Sequence, residues 1–167
     1  GLCGARLTEV DLHVDDPDLA TYRAGPWSDV VASIARTDEP LAILASATPT
    51  GRDLAPRLAA RLGSGYAADC VDVSADGQGL ITARRPVYAG KLLATVAFRE
   101  PRLQVLTLRP KVFDVTPVAA AGVVQARIVH PTPGSIKTLV REFVARGGAR
   151  PELTEADIVV TGGRGVK

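Results

Sequence analysis

"ILASATPTGRDLAPRLAARLG" runs from Ile43 to Gly63. An apolar run breaks into a Thr/Pro/Gly loop, and a basic segment with regularly spaced leucines follows. Strand, glycine loop and helix in this order form either a phosphate cradle or a plain crossover of an α/β fold. A Walker loop reads G-x-x-x-x-G-K-[ST], with its Lys on the phosphates and its hydroxyl on magnesium. Here Ser46 stands where the first glycine belongs, and Arg52 and Asp53 follow Gly51. Asp53 would bring negative charge to where the phosphate should sit, so the nucleoside-triphosphate reading fails. The structural reading has Asp53 capping the helix through an early backbone N–H. Pro56 then falls in the first turn, where its missing N–H costs nothing. Leu54, Leu58 and Leu62 follow at i, i+4 and i+8 and face a sheet. Thr50 is the rival cap, and it would push Pro56 into the helix interior.

Outward from this unit, apolar runs alternate with helical patterns. "EPLAILASA" is a continuous apolar strand of the kind buried in parallel sheets. "TEVDLHV" (Thr8 to Val14) alternates as a strand, and "DDPDLATYR" is a turn leading into a helix. That helix, "WSDVVASIART", puts Trp27, Val30, Val31, Ile34 and Ala35 on one face. "ADCVDVSAD" is the next strand. "GLITARRPVYAG" and "KLLATVAFRE" are two strands around a glycine-containing turn, and "RLQVLTLRP" and "VVQARIVH" are two more. The fold class is therefore α/β: a three-layer architecture with a mostly parallel sheet flanked by helices, and a mixed edge between residues 80 and 130, where long crossover helices do not fit. From Pro131 the texture changes. Two Pro–Gly clusters surround a short helix-like piece, "IKTLVREFVA", which reads as a linker. The expected organisation is an α/β domain over 1–130, a linker over 131–153, and a final strand with a glycine-rich loop over 154–167.

Composition sets the function classes. Of 167 residues, 46% are hydrophobic and 23% charged, as in ordinary globular chains, and aromatics are only 4%, so Ala, Val, Leu and Ile must build the core. A net charge of +2 with scattered arginines is no nucleic-acid footprint. The longest apolar runs are strand-sized, which argues against membrane insertion. The chain starts without Met, and "GLCGARLTEV" lacks the pattern of a signal peptide. Cys3 and Cys70 lie far apart with no partner at ligand spacing, which points to a reducing cytoplasm rather than a disulfide scaffold or zinc site.

Catalytic constellations are missing. His13 and His130 are the only histidines, neither has a metal-spaced neighbour, and there is no G-x-S-x-G elbow. Two stretches carry chemistry. In "ARRPVYAGKLLATV", Arg84, Arg85, Tyr88 and Lys91 gather around Pro86 and Gly90; this is either a basic surface for an acidic partner or a flavin edge, or a turn with solvated charges. In "ADIVVTGGRGVK", a buried strand, Ile158 to Val160, leads into Gly162, Gly163, Arg164 and Gly165. Glycines let backbone N–H groups approach a pyrophosphate, and the Arg164 fork suits a phosphate or an anionic ring. The same four residues also fit a flexible tail.

Four segments in order resemble one family: "ATPTGRDLAPRLAARLGSGYAADC", "RRPVYAGKLLATV", "VLTLRPKVF" and "LTEADIVVTGGRG" are similar to the alpha subunit of the electron-transfer flavoprotein. The resemblance implies a nucleotide-binding-like N-terminal α/β domain and a C-terminal domain that binds FAD. It also implies a beta subunit, which usually holds AMP, and an electron shuttle with no substrate chemistry of its own. Acyl-CoA and other dehydrogenases supply the electrons, and a quinone oxidoreductase at the membrane receives them. The family's G-G-R-G loop matches Gly162, Gly163, Arg164 and Gly165, and Arg164 inherits a place beside the flavin, where a fixed cation favours anionic reduced forms. By the same resemblance the Thr48–Asp53 loop is scaffold. About two strands before Gly1 and a whole FAD domain after Lys167 are expected in the family, so the chain reads as a fragment with exposed sheet edges. A free-standing nucleotide-binding or adaptor domain without flavin is the alternative.

Overall fold

The computed structural model describes residues 10–100, 102–114 and 123–142, and, near the C-terminus, 153, 156 and 158–165. Its centre is the strand β7, and naming the elements in order shows why. They are β1 (Val10–His13), helix α1 (Ala24–Asp38), β2 (Ala42–Ser46), helix α2 (Pro49–Leu62), β3 (Gly65–Cys70), β4 (Asp72–Ala75), β5 (Ile81–Val87), β6 (Leu92–Ala97), β7 (Gln104–Leu108) and β8 (Val123–Ala126). The parallel sheet has the order β2-β7-β3, so the last-made strand lies between the two earlier ones. β4, β5 and β6 form an antiparallel meander, and β1 pairs with β8 in parallel. The class is α/β with mostly parallel sheets flanked by two helices, as expected.

The pleat of β7 explains the layering. Alternate residues of a strand face opposite sides. Val105 meets Ala55 and Ala59 of α2, with Ile43, Tyr66 and Leu103 around them. Leu106, on the other face, meets Ala67, Cys70, Ile81 and Ala83. The parallel sheet is therefore covered by α2 on one side and the meander on the other. Among the described residues, no helix is long and apolar enough to cross a membrane.

The opening stretch folds as strand, turn and helix, but the cap is neither Asp53 nor Thr50. Thr48 is the N-cap, and its side-chain oxygen accepts the Gly51 N–H at 3.3 Å. Pro49 takes the first helical position, where a proline is at no disadvantage. Pro56 then sits inside the helix and cannot donate to the Arg52 carbonyl one turn earlier. The buried face is Gly51, Ala55, Leu58 and Ala59; of the expected leucine row Leu58 is buried, while Leu54 and Leu62 are only partly covered. Small residues let the helix lie close to β7, and at Gly51 nothing larger than hydrogen fits against the Ser46 carbonyl. Gly63 closes the helix in the left-handed conformation (φ 63°) and donates to the Ala59 and Ala60 carbonyls.

Other expectations shift in the same way. β2 is an edge strand, and Leu44 is half-exposed rather than buried. On α1 the buried residues are Pro26, Ser28, Val30, Ala32 and Ala35, whereas Trp27, Val31 and Ile34 are only partly covered. Ile136–Glu142 forms no helix; the rest of the expected "IKTLVREFVA" helix, and Cys3, lie outside the described residues. The stretch from His130 to Thr138 lies against α1 and its entry turn. His130 Nδ1 is 2.6 Å from Asp16, the Thr132 N–H donates to Asp29, and Arg23 donates to the Thr138 carbonyl. Gly25 abuts the Ser135 carbonyl too closely for any side chain.

Candidate functional site

The glycine-rich loop comes first because the sequence singles it out. Ile158, Val159 and Val160 are exposed and form no strand, contrary to the buried strand expected from the apolar run. A strand needs a neighbour to satisfy its backbone, and no described strand adjoins this one. Gly162, Gly163, Arg164 and Gly165 follow on the surface, with a turn at Arg164 and Gly165. A side chain at Gly163 or Gly165 would meet nothing within 4 Å. No described residue pairs with the Arg164 guanidinium. The four residues are exposed, and the described residues build no wall around them.

The Thr48–Asp53 loop holds no ligand geometry of its own. Thr48 is committed to Gly51. Asp53 accepts from the Tyr22 hydroxyl at 2.9 Å and from Arg57 at 3.0 Å. The Arg57 hydrogen bond, then that of Tyr22, holds Asp53 below the ordinary carboxylate range. Burial, reinforced by Asp53, pushes the Tyr22 phenol up to about 12. His13 is exposed. His130 lowers Asp16 by its hydrogen bond, in a pair that fastens the segment after β8 to the turn before α1. Among the described residues, no group of three metal-binding side chains comes together.

A second centre lies at the carboxyl ends of β3 and β7, where α/β folds place their ligands. A bulge between Ala67 and Cys70 shifts the β3 register and turns Asp69 into the left-handed conformation (φ 56°). Bulges re-aim side chains, and Asp tolerates this conformation better than most residues. The Asp69 N–H is taken up by the Thr107 hydroxyl at 2.9 Å. Its carboxylate receives both Arg109 Nε at 3.2 Å and Arg109 Nη2 at 2.6 Å, a bidentate pair, with Arg52 of α2 at 3.3 Å. The Arg109 hydrogen bond is the main reason Asp69 stays below the usual aspartate range. Next to it, burial raises the thiol of Cys70, which suits a protonated, inert side chain.

The flagged "RRPVYAG" stretch borders this centre. The turn of the β5–β6 hairpin places Tyr88, Ala89 and Gly90 successively at φ 52°, 54° and 87°. Two of the three carry side chains, so the turn is strained. Tyr88 is 77% exposed at its tip. Arg84 faces Asp72 at 4.0 Å, while Arg85 points the other way along the hairpin toward the Asp69 centre. Sequence reading missed Asp69 and Arg109. The only signal was their position at the ends of two apolar runs, and the runs do not say that β3 and β7 are neighbours.

The Asp69 pairing gives a pH prediction. A carboxyl held lower in the folded state than in the unfolded one contributes stability that is complete above the unfolded value of 3.8. This contribution is lost as pH falls through the lower folded value. Denaturant midpoints measured from pH 7 to pH 3 are expected to fall most steeply below about pH 4.5. Asp69→Asn, which keeps the backbone conformation, is expected to start lower at pH 7 and to flatten the acid limb. An acid limb identical to wild type would show that the pair does not contribute.

Residues 8–133 match the electron transfer flavoprotein domain family. The chain is 42% identical over 156 residues to the electron transfer flavoprotein subunit alpha of Syntrophomonas wolfei, covering 92% of this chain and 48% of that protein. It is 36% identical over 157 residues to Protein FixB of Clostridium saccharobutylicum, covering 93% and 47%. It is 34% identical over 158 residues to the Bacillus subtilis electron transfer flavoprotein subunit alpha, again covering 93% and 47%. The chain thus spans about half the length of the curated relatives it matches.

Proposed function

The chain belongs to the electron transfer flavoprotein domain family, and from that premise we propose that it is part of the alpha subunit of an electron carrier. The similarity to alpha subunits over nearly the whole chain is the observation that carries this reading. The carrier is a heterodimer with an electron-transfer flavoprotein beta subunit. It takes electrons from acyl-CoA and other dehydrogenases in the cytoplasm, passes them to a quinone oxidoreductase, and transforms no substrate itself.

FAD supplies the redox chemistry when bound. Within this chain, Gly162, Gly163, Arg164 and Gly165 are the residues that would hold it: all four are exposed, a side chain at Gly163 or Gly165 would meet nothing, and no described residue pairs with Arg164. Arg164 would contribute a fixed positive charge to it, and the glycines would allow close backbone approach. The walls of the pocket come from outside the described residues. The α/β domain acts as the rigid frame that meets the partner subunit.

The test is the native protein from its source. Its intact mass is expected to lie far above 17.4 kDa, with yellow flavin absorbance that co-purifies with a second subunit. In that protein, Arg164→Ala is expected to lower the flavin's first-electron potential by several tens of millivolts, about 59 mV for each tenfold change in a one-electron equilibrium. A native mass near 17.4 kDa without flavin would favour the free-standing nucleotide-binding or adaptor domain instead.

A further inference from the structure

We propose that the hollow between the carboxyl ends of β3 and β7 and the Tyr88–Gly90 turn binds a phosphate-bearing small molecule, with Arg85 as its main anchor. This goes beyond the flavin reading and does not depend on it.

Arg85 carries the inference. Its Nε is shielded from water and has no hydrogen-bond partner. No described residue forms an ion pair with it, unlike Arg52 and Arg109, which are tied to Asp69. A buried, unpaired donor costs about 1–3 kcal/mol, so native structures rarely keep one without a use. Arg85 lines a hollow of about 480 Å³ together with Asp69, Arg109, Pro86, Tyr88 and Gly90. That volume lies within the range of small-molecule sites, roughly 300–1,000 Å³.

Charge selects the ligand. Arg52, Arg85 and Arg109 surround a single carboxylate, Asp69, which leaves an excess of two positive charges. A phosphate group balances both, whereas one carboxylate leaves one cation uncompensated. Arg109 spends Nε and Nη2 on Asp69, which leaves its other N–H groups for an anion. The exposed Tyr88 ring stands at the rim, where it offers a flat apolar face to the organic body of a ligand. The left-handed turn that holds it there is strain of the sort concentrated at binding sites. The opening stretch, with the look of a phosphate loop, contributes only Arg52 to this centre.

The whole chain is titrated with inorganic pyrophosphate and, separately, with succinate, at fixed ionic strength. Heat and backbone amide shifts are the readouts. Expected is saturable pyrophosphate binding with a dissociation constant below about 1 mM, amide shifts confined to residues 85–90 and 109, and succinate binding at least roughly tenfold weaker. Arg85→Gln is expected to weaken pyrophosphate at least about tenfold, while Arg84→Gln on the same strand leaves it unchanged. The proposal is overturned by absent saturation, by shifts spread over all basic surfaces, or by equal losses in the two arginine variants. Succinate binding as tight as pyrophosphate overturns it in favour of an acidic protein segment. If Arg85→Gln does not fold, the amide map of the unaltered chain decides alone.

Discussion

Gly51→Ala is expected to destabilise the chain by roughly 3 kcal/mol or more, among the largest effects a single methyl group produces. By helix propensity alone the change should help, because alanine is favoured over glycine in a helix by about 1 kcal/mol. Packing decides against it. The added Cβ would overlap the Ser46 carbonyl oxygen, and that atom belongs to the backbone of β2. It cannot swing aside as a side-chain tip would. Either α2 lifts from β7, which opens the contacts of Ala55 and Ala59 with Val105, or the end of β2 moves and loosens its pairing with Leu108. The Thr48 cap would shift in both cases. Chemical denaturation of the variant against wild type reads the effect. Gly63→Ala makes the internal comparison: no atom lies in the way there, and only the left-handed conformation opposes the side chain, so about 1 kcal/mol is expected. Equal losses at the two glycines would mean that α2 does not lie against β2 as described.

Gln104→Leu is the second large effect, at about 2–4 kcal/mol, because it strands two backbone groups while keeping the volume. Gln104 is fully buried at the start of β7. Its side-chain carbonyl accepts the Ile81 N–H at 2.7 Å, and its amide donates to the Gly79 carbonyl at 2.8 Å. Both partners stand at the entrance to β5. One side chain thus joins the parallel sheet to the antiparallel meander by mimicking a peptide unit. Leucine fills the space but satisfies neither group. Hydrogen exchange is expected to speed up first at Ile81 and Leu80, with α2 keeping its protection. Uniform acceleration over the whole chain would show that the bridge is not local to this junction.

How much of this could be read in the sequence varies from residue to residue. The hairpin of β5 and β6 was legible because alternation flanks Gly90 at the right distance. The left-handed Tyr88 and Ala89 were not, since neither residue type advertises that conformation. The strand-loop-helix of the opening stretch was legible as elements. Its cap was misjudged because Thr48, Thr50 and Asp53 are all competent acceptors, and a tertiary contact chose among them: Gly51 must face the Ser46 carbonyl, which fixes where the helix starts. Leucine spacing found the buried Leu58 but not the centre of the packed face of α2, because Ala55 and Ala59, rather than Leu54 and Leu62, make the close approach to β7. The Asp69–Arg109 pair joins residues 40 positions apart. It depends on strand order, which local pattern does not encode. The Gly162–Gly165 loop was recognised by its resemblance, but its apolar lead-in could not be foreseen as exposed, since a strand forms only beside a partner.

The order of the parallel sheet has a consequence for synthesis. Among the described strands, β2 and β3 share no ladder, and each bonds only to β7. On the ribosome both emerge with their backbone groups unmatched, and their mate follows about 60 residues after β2 ends. At ~5–20 residues per second, β2 waits roughly 3–12 s with its edges open. During that interval α2 has only half its seat, because Val105 is not yet made. The nascent chain is therefore most vulnerable to capture by chaperones, proteases or a second copy of itself while residues 47–104 are leaving the exit tunnel. Completion of a single five-residue segment covers the inner edge of both strands at once.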